Sequence, residues 1–149
     1  MTAVRKVLFL CTGNSARSQM AEGLLNALSG GKWKAWSGGV FPSYVHPLAI
    51  RAMEEMRIDI SRQTSKSMDQ FLNEAFDYII TLCDEAAQSC PAFPGQGKRL
   101  HWPLEDPAAA IGTIEDRLVV FRRIRDEIKT KIEEFLKSET IDPIASFEF

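Results

Sequence analysis

The chain has few of the residues on which several common kinds of protein depend. It holds three cysteines and two histidines in 149 residues. Three thiols cannot all pair within one chain, and two of them adjoin apolar strand-like runs, which argues against an extracellular disulfide scaffold. The cysteines lack the close pairing of zinc ligands, and neither His46 nor His101 completes such a set; the two histidines read as capping, packing or surface residues. No apolar run approaches the roughly 20 residues that span a bilayer, and the opening Met-Thr-Ala-Val-Arg-Lys leads directly into a strand-like segment rather than a leader. Excess charge of either sign is missing too. A net charge of -2 gives no electrostatic case for nucleic acid or an anionic membrane. Internal repeats and low-complexity tracts are absent. The expectation is a cytoplasmic protein without nucleic-acid or membrane partners.

What is present is a chain with 45% hydrophobic residues, enough to bury one core. Residues 1–140 read as one domain and 141–149 as a C-terminal tail. Lys6 to Cys11 is a short apolar strand, and Ala16 to Leu28 a helix with Met20, Leu24, Ala27 and Leu28 on one face. Trp33 to Ser37, closed by Gly38-Gly39, gives a second strand. Pro47 to Met56 gives a helix with proline in its first turn. Phe76 to Leu82 and Arg99 to Trp102 give two more strands. The strongest pattern lies between Glu115 and Lys137, where Leu118, Phe121, Ile124, Ile128, Ile132 and Phe135 recur at helical spacing. Strands separated by helices predict an α/β fold, an open sheet of about four parallel strands between helical layers. Ligands of such sheets bind beyond the carboxyl ends of the strands, where Cys11, Cys83 and the loop after Trp102 all fall.

The first of these loops has a definite chemistry. Cys11 ends the strand and is followed by Thr12, Gly13, Asn14, Ser15, Ala16 and Arg17 before the helix begins. Successive backbone N–H groups in a tight strand-to-helix loop surround a tetrahedral oxyanion. Gly13 is expected to permit the turn, and Asn14 to tolerate unusual backbone angles. Arg17 supplies a planar fork for two anion oxygens. The same positive environment should hold Cys11 as a nucleophilic thiolate, with Ser18 donating its hydroxyl to the sulfur. The loop lacks the Gly-Lys-Ser/Thr ending of a nucleotide P-loop.

Attack on such an anion needs a proton for the departing oxygen, and Leu104-Glu105-Asp106-Pro107 offers two carboxyls. Asp106 is aimed by the proline that follows it, or else is a turn residue or helix cap; Glu105 competes as proton donor. Cys83 and Cys90 are seven positions apart. They read either as partners in a thiol relay, which would require the intervening segment to rearrange, or as a core cysteine and an incidental thiol.

Cys11-Thr-Gly-Asn-Ser-Ala-Arg17-Ser18-Gln-Met-Ala-Glu22 resembles the signature of arsenate reductases of the low-molecular-weight tyrosine phosphatase superfamily. The resemblance continues through Ile58-Asp-Ile-Ser-Arg-Gln-Thr-Ser65, Thr81-Leu-Cys83, Cys90-Pro91, His101-Trp102 and Asp106-Pro107 to Arg123-Ile-Arg-Asp-Glu-Ile128. It implies a phosphotyrosine phosphatase I-like fold with strand order 2-1-3-4. It also implies Asp106 as the proton donor and arsenate as substrate, with phosphate or sulfate competing for the cradle.

In the reaction that the resemblance implies, Cys11 forms a covalent arsenic adduct. Cys83 then attacks the Cys11 sulfur to release arsenite, and Cys90 resolves the resulting disulfide. The implied reductant is thioredoxin, and no redox cofactor or metal is required. Alternatives are a phosphatase, against which Ala108 stands where tyrosine phosphatases carry an aromatic residue, and a non-enzymatic oxyanion sensor. Two positions depart from the family pattern. Ala16 replaces a cysteine found in many relatives. Lys66 stands where potassium-binding relatives have an aspartate beside the counterparts of Asn14, Glu22 and Ser37, so its ammonium is expected to replace the cation and to organise Glu22 and Asn14.

Overall fold

The computed structural model describes residues 3–83 and 93–139. Cys90, the segment between it and Cys83, and the tail 141–149 lie outside the described residues.

Four strands, β1 (Arg5–Cys11), β2 (Trp33–Gly39), β3 (Tyr78–Thr81) and β4 (Lys98–His101), form one parallel sheet in the order β2-β1-β3-β4. This is the order that the family resemblance implied. Strand β1 lies inside the sheet because Val7 to Leu10 are apolar on both faces, and all four are fully buried. Strand β4 is short, carries Lys98, Arg99 and His101, and forms one edge. The helices are α1 (Arg17–Leu28), α2 (Pro47–Glu54) and α3 (Ile114–Glu139). None of the described helices is long and apolar enough to cross a membrane.

Alternation along β1 assigns its side chains to two cores. Val7, Phe9 and Cys11 join the apolar faces of all three helices, including the whole predicted α3 stripe from Leu118 to Phe135. Phe135 closes this core, its ring centroid 5.0 Å from those of both Trp33 and Tyr78. On the opposite face Leu8, Leu10 and Ile79 pack with Phe71, Phe76 and Phe93. Phe71 belongs to a short 3-10 turn, Met68–Phe71, that the sequence pattern had not marked. Helix, sheet and turn thus make three layers.

Register brings the reactive loops to one end. Cys11 pairs with Gly39 across β1 and β2, while Leu10 pairs with Thr81 and the Leu82 N–H donates to Leu10 O at 2.8 Å. The chain segments following β1, β2 and β3 therefore leave the sheet side by side. On α1, Gly23 admits the segment around Ile60: a Cβ there would sit 2.6 Å from Ile60 Cγ2. That close approach brings Gln63 and Thr64 against the helix.

Truncating the α3 stripe tests this architecture. Ile128→Ala should cost about 2–5 kcal/mol of unfolding free energy, and exposed Thr130→Ala less than about 0.5 kcal/mol, both read from urea midpoints at unchanged slope.

Candidate active site

The loop from Thr12 to Ala16 is held from outside by its carbonyl oxygens. The Phe41 N–H donates to Thr12 O at 2.9 Å, Ser65 Oγ to Gly13 O at 3.2 Å, Gln19 Nε2 to Asn14 O at 3.0 Å and the His46 N–H to Ser15 O at 3.0 Å. None of the described peptides is cis. In a rigid trans peptide the N–H opposes the carbonyl, so fixing these four carbonyls outward turns the N–H groups of Gly13, Asn14, Ser15 and Ala16 to the inner side. Helix α1 adds its first turn to the same concavity. Its N-cap, Ala16, makes no side-chain cap, so the leading N–H groups and the positive helix end stay available to an anion.

One backbone expectation is corrected. Asn14, with φ of 46°, makes the left-handed turn. Gly13 is not among the positive-φ residues, and a Cβ added to it would meet no atom closer than 3.8 Å. The glycine that the loop requires is Gly39, on β2. A Cβ there would stand 2.8 Å from Thr12 O and 2.9 Å from Asn14 N, so only a bare Cα lets the loop rest against the strand end.

The cradle opens into a cleft of about 280 Å³ lined by Cys11, Thr12, Gly13, Ser15, Ala16, Arg17, Phe41, Asp106 and Ala108. Cys11 is a free thiol, and its Sγ lies 2.8 Å from Ser18 Oγ. Arg17 is only 6% exposed. Its Nη1 donates to Leu104 O at 3.1 Å and Leu82 O at 3.4 Å, and its Nη2 lies 3.9 Å from Asp106 Oδ2. Asp106 combines the two sequence readings. Oδ1 caps the turn Pro107–Ala109 by accepting the Ala108 N–H at 3.0 Å, which leaves Oδ2 toward Arg17 and the cleft. Glu105 points elsewhere, to Arg123 at 3.0 Å. His46 is a buried packing and capping residue, its Nδ1 accepting the Leu48 N–H at 3.1 Å. Burial, reinforced by Arg117 and opposed by Asp106, lowers its pKa.

Beside the loop, Ser37 Oγ donates to Glu22 Oε1 at 2.5 Å, and Lys66 Nζ lies 3.8 Å from the same oxygen. Lys66 reaches Asn14 differently from the expectation: its backbone N–H, not its ammonium, donates to Asn14 Oδ1 at 2.8 Å. The ammonium donates instead to Thr64 O at 2.9 Å. Cys83, at the end of the neighbouring strand, is fully buried and disulfide-bonded. Phe41 and Gly39 carried no chemical signal in the sequence beyond lying at the end of a strand.

Burial raises the Glu22 pKa above its ordinary value of 4.5, outweighing the Ser37 hydrogen bond and the Lys66 charge. A carboxyl raised in the folded state contributes stability that is complete below the unfolded value and is lost as pH rises through the folded one. Stability followed upward from pH 4.5 should therefore show this loss, and Glu22→Gln should remove it, as read from urea unfolding at each pH.

The model of the low molecular weight phosphotyrosine protein phosphatase family matches residues 6–142. An arsenate reductase of Halalkalibacterium halodurans is 48% identical over 132 residues, covering 89% of this chain and 95% of that one. A solved structure described as an arsenate reductase in the phosphate binding state superposes with a TM-score of 0.77 at 39% identity, covering 91% of this chain and 98% of the other. A thioredoxin-dependent arsenate reductase of Corynebacterium glutamicum gives a TM-score of 0.70 at 31% identity, covering 92% of this chain and 62% of that one. With the outward-pinned loop, its cysteine and its arginine in place, these likenesses show that the chain belongs to the low molecular weight phosphotyrosine protein phosphatase family, among its arsenate reductases.

Proposed function

We propose that the chain reduces arsenate to arsenite through a thiol relay that starts at Cys11, continues through Cys83 and is resolved by Cys90. The observation that carries this reading is the convergence of Cys11, Arg17 and Asp106 on one oxyanion cradle, with a second cysteine at the end of the adjacent parallel strand. The names of the relatives support the substrate.

Arsenate binds to the inward N–H groups and the Arg17 fork. The Cys11 thiolate attacks arsenic, an As–O bond breaks, and Asp106 gives its proton to the departing oxygen. Arsenic is still pentavalent in this adduct. Cys83, as thiolate, then attacks the Cys11 sulfur; the S–As bonding pair passes to arsenic, arsenite leaves, and a Cys11–Cys83 disulfide remains. Attack by Cys90 on Cys83 releases Cys11 as thiolate and transfers the disulfide to Cys83 and Cys90. An external dithiol protein must then return two electrons. Thioredoxin is the reductant we propose, on the likeness to a thioredoxin-dependent enzyme. Such a cycle belongs in a reducing compartment, the cytoplasm. Phosphate and sulfate fit the same cradle as competitors, because neither accepts the electron pair as arsenic does.

The placement of the two cysteines supports the relay: Cys11 is a free thiol in the cleft, and Cys83 follows Leu82, whose N–H donates to Leu10 O in the strand that carries Cys11. Beside the loop, the Lys66 ammonium supplies the positive charge that faces Glu22, in the place of a bound monovalent cation.

In a thioredoxin-coupled assay, Cys83→Ser should abolish steady-state arsenate turnover while weak hydrolysis of an aryl phosphate persists. Surviving turnover would refute the relay, and hydrolysis exceeding reduction in the unaltered chain would favour a phosphatase. The wild-type rate should respond little to potassium, whereas Lys66→Asp should make it potassium-dependent; strong potassium stimulation of the wild type would reverse the assignment of Lys66.

A further inference from the structure

The hydrogen bonds behind the cradle form a directed chain that starts far from the sulfur. Gln63 Nε2 donates to Gln19 Oε1 at 2.8 Å and to Gln19 O at 3.0 Å. Gln19 Nε2 donates to Asn14 Oδ1, and also to the carbonyls of Asn14 and Thr64, each at 3.0 Å. Asn14 Nδ2 donates to Ser18 Oγ at 2.8 Å, and Ser18 Oγ lies 2.8 Å from Cys11 Sγ. Asn14, Ser18 and Gln19 are completely buried, so no solvent competes for the bonds among them.

The direction of the chain is set by backbone groups, which cannot exchange donor for acceptor. Carbonyl O of Gln19 fixes the NH2 end of Gln63. Carbonyls of Asn14 and Thr64 fix that of Gln19. The Lys66 N–H, which can only donate, fixes Oδ1 of Asn14 and so commits its Nδ2 to Ser18. Ser18 then already accepts a hydrogen bond on its oxygen, and its single hydroxyl hydrogen is left for the sulfur. Four donors in sequence point the same way, and aligned amide dipoles in a buried environment strengthen one another.

From this polarity we infer that Gln19 and Gln63 are positioning residues for the nucleophile, holding Asn14 and Ser18 so that the Ser18 hydroxyl donates to the Cys11 thiolate. The inference deepens the active-site reading given above. It requires only that Cys11 react as a thiolate, so it can fail while the arsenate relay stands, and the reverse.

The test measures alkylation of Cys11 by iodoacetamide across pH in the full chain, located by peptide mass, with no arsenate present. Gln63→Met and Gln63→Glu both remove the first donor; the second keeps the size and polarity of the side chain. Each should slow alkylation at neutral pH by about three- to tenfold and move the profile to higher pH. Gln63 is only partly buried, so these variants spare the core; Gln19→Met, at the buried link, should give the same displacement. In a Ser18→Ala background the Gln63→Met effect should vanish, because the route to the sulfur is already cut. A wild-type profile in either Gln63 variant would overturn the inference, as would a Gln63→Met effect that persists undiminished without Ser18.

Discussion

The chemistry of this protein depends on the four carbonyl groups that are held away from the cleft. An isolated loop of this length has no reason to gather its N–H groups around one point, since they repel one another and water satisfies them separately. Here the opposite ends of the same peptides are fixed by Phe41, Ser65, Gln19 and His46. These donors come from the loop after β2, the segment after α2, helix α1 itself and the N-terminus of α2. The ordering entropy of the cradle is thus met during folding rather than at the moment an anion arrives. Gly39 belongs to the same arrangement, because its missing side chain is what allows the loop to lie against β2.

This dependence explains which parts of the molecule were legible in the sequence. The α3 stripe and the apolar β1 are written in local periodicity, and the structure buries them as expected. Cys11 and Arg17 were legible because a strand, a short polar loop and a helix in succession leave few places for a cysteine and an arginine. The supports were not legible, since they lie far along the chain from what they support: Gln63 acts on Gln19 across 44 positions and Lys66 on Asn14 across 52. The Lys66 side chain suggested an electrostatic role, yet its contact with Asn14 is made by the main chain, which carries no sequence signal. Gly13 misled for a related reason. Glycine permits a left-handed turn, but Asn14 can also take it, and its side-chain oxygen is held there by two donors.

Arg17 shows why the site works as one unit. A guanidinium carries five donors in a fixed plane, and two carbonyls already receive hydrogen bonds from it, Leu82 next to Cys83 and Leu104 close to Asp106. Both lie on segments that leave the sheet beside the cradle. Both of these bonds come from Nη1, so the edge formed by Nε and Nη2 is what remains to give an oxyanion the stronger, charge-assisted bond. The same guanidinium thus ties the chain after β3, next to Cys83, to the segment that carries Asp106. A lysine at this position could neutralise the anion, but it has no planar pair of nitrogens to offer an oxyanion while a third holds the two carbonyls. Through this one side chain the cradle, the Asp106 segment and the chain after β3 are held together.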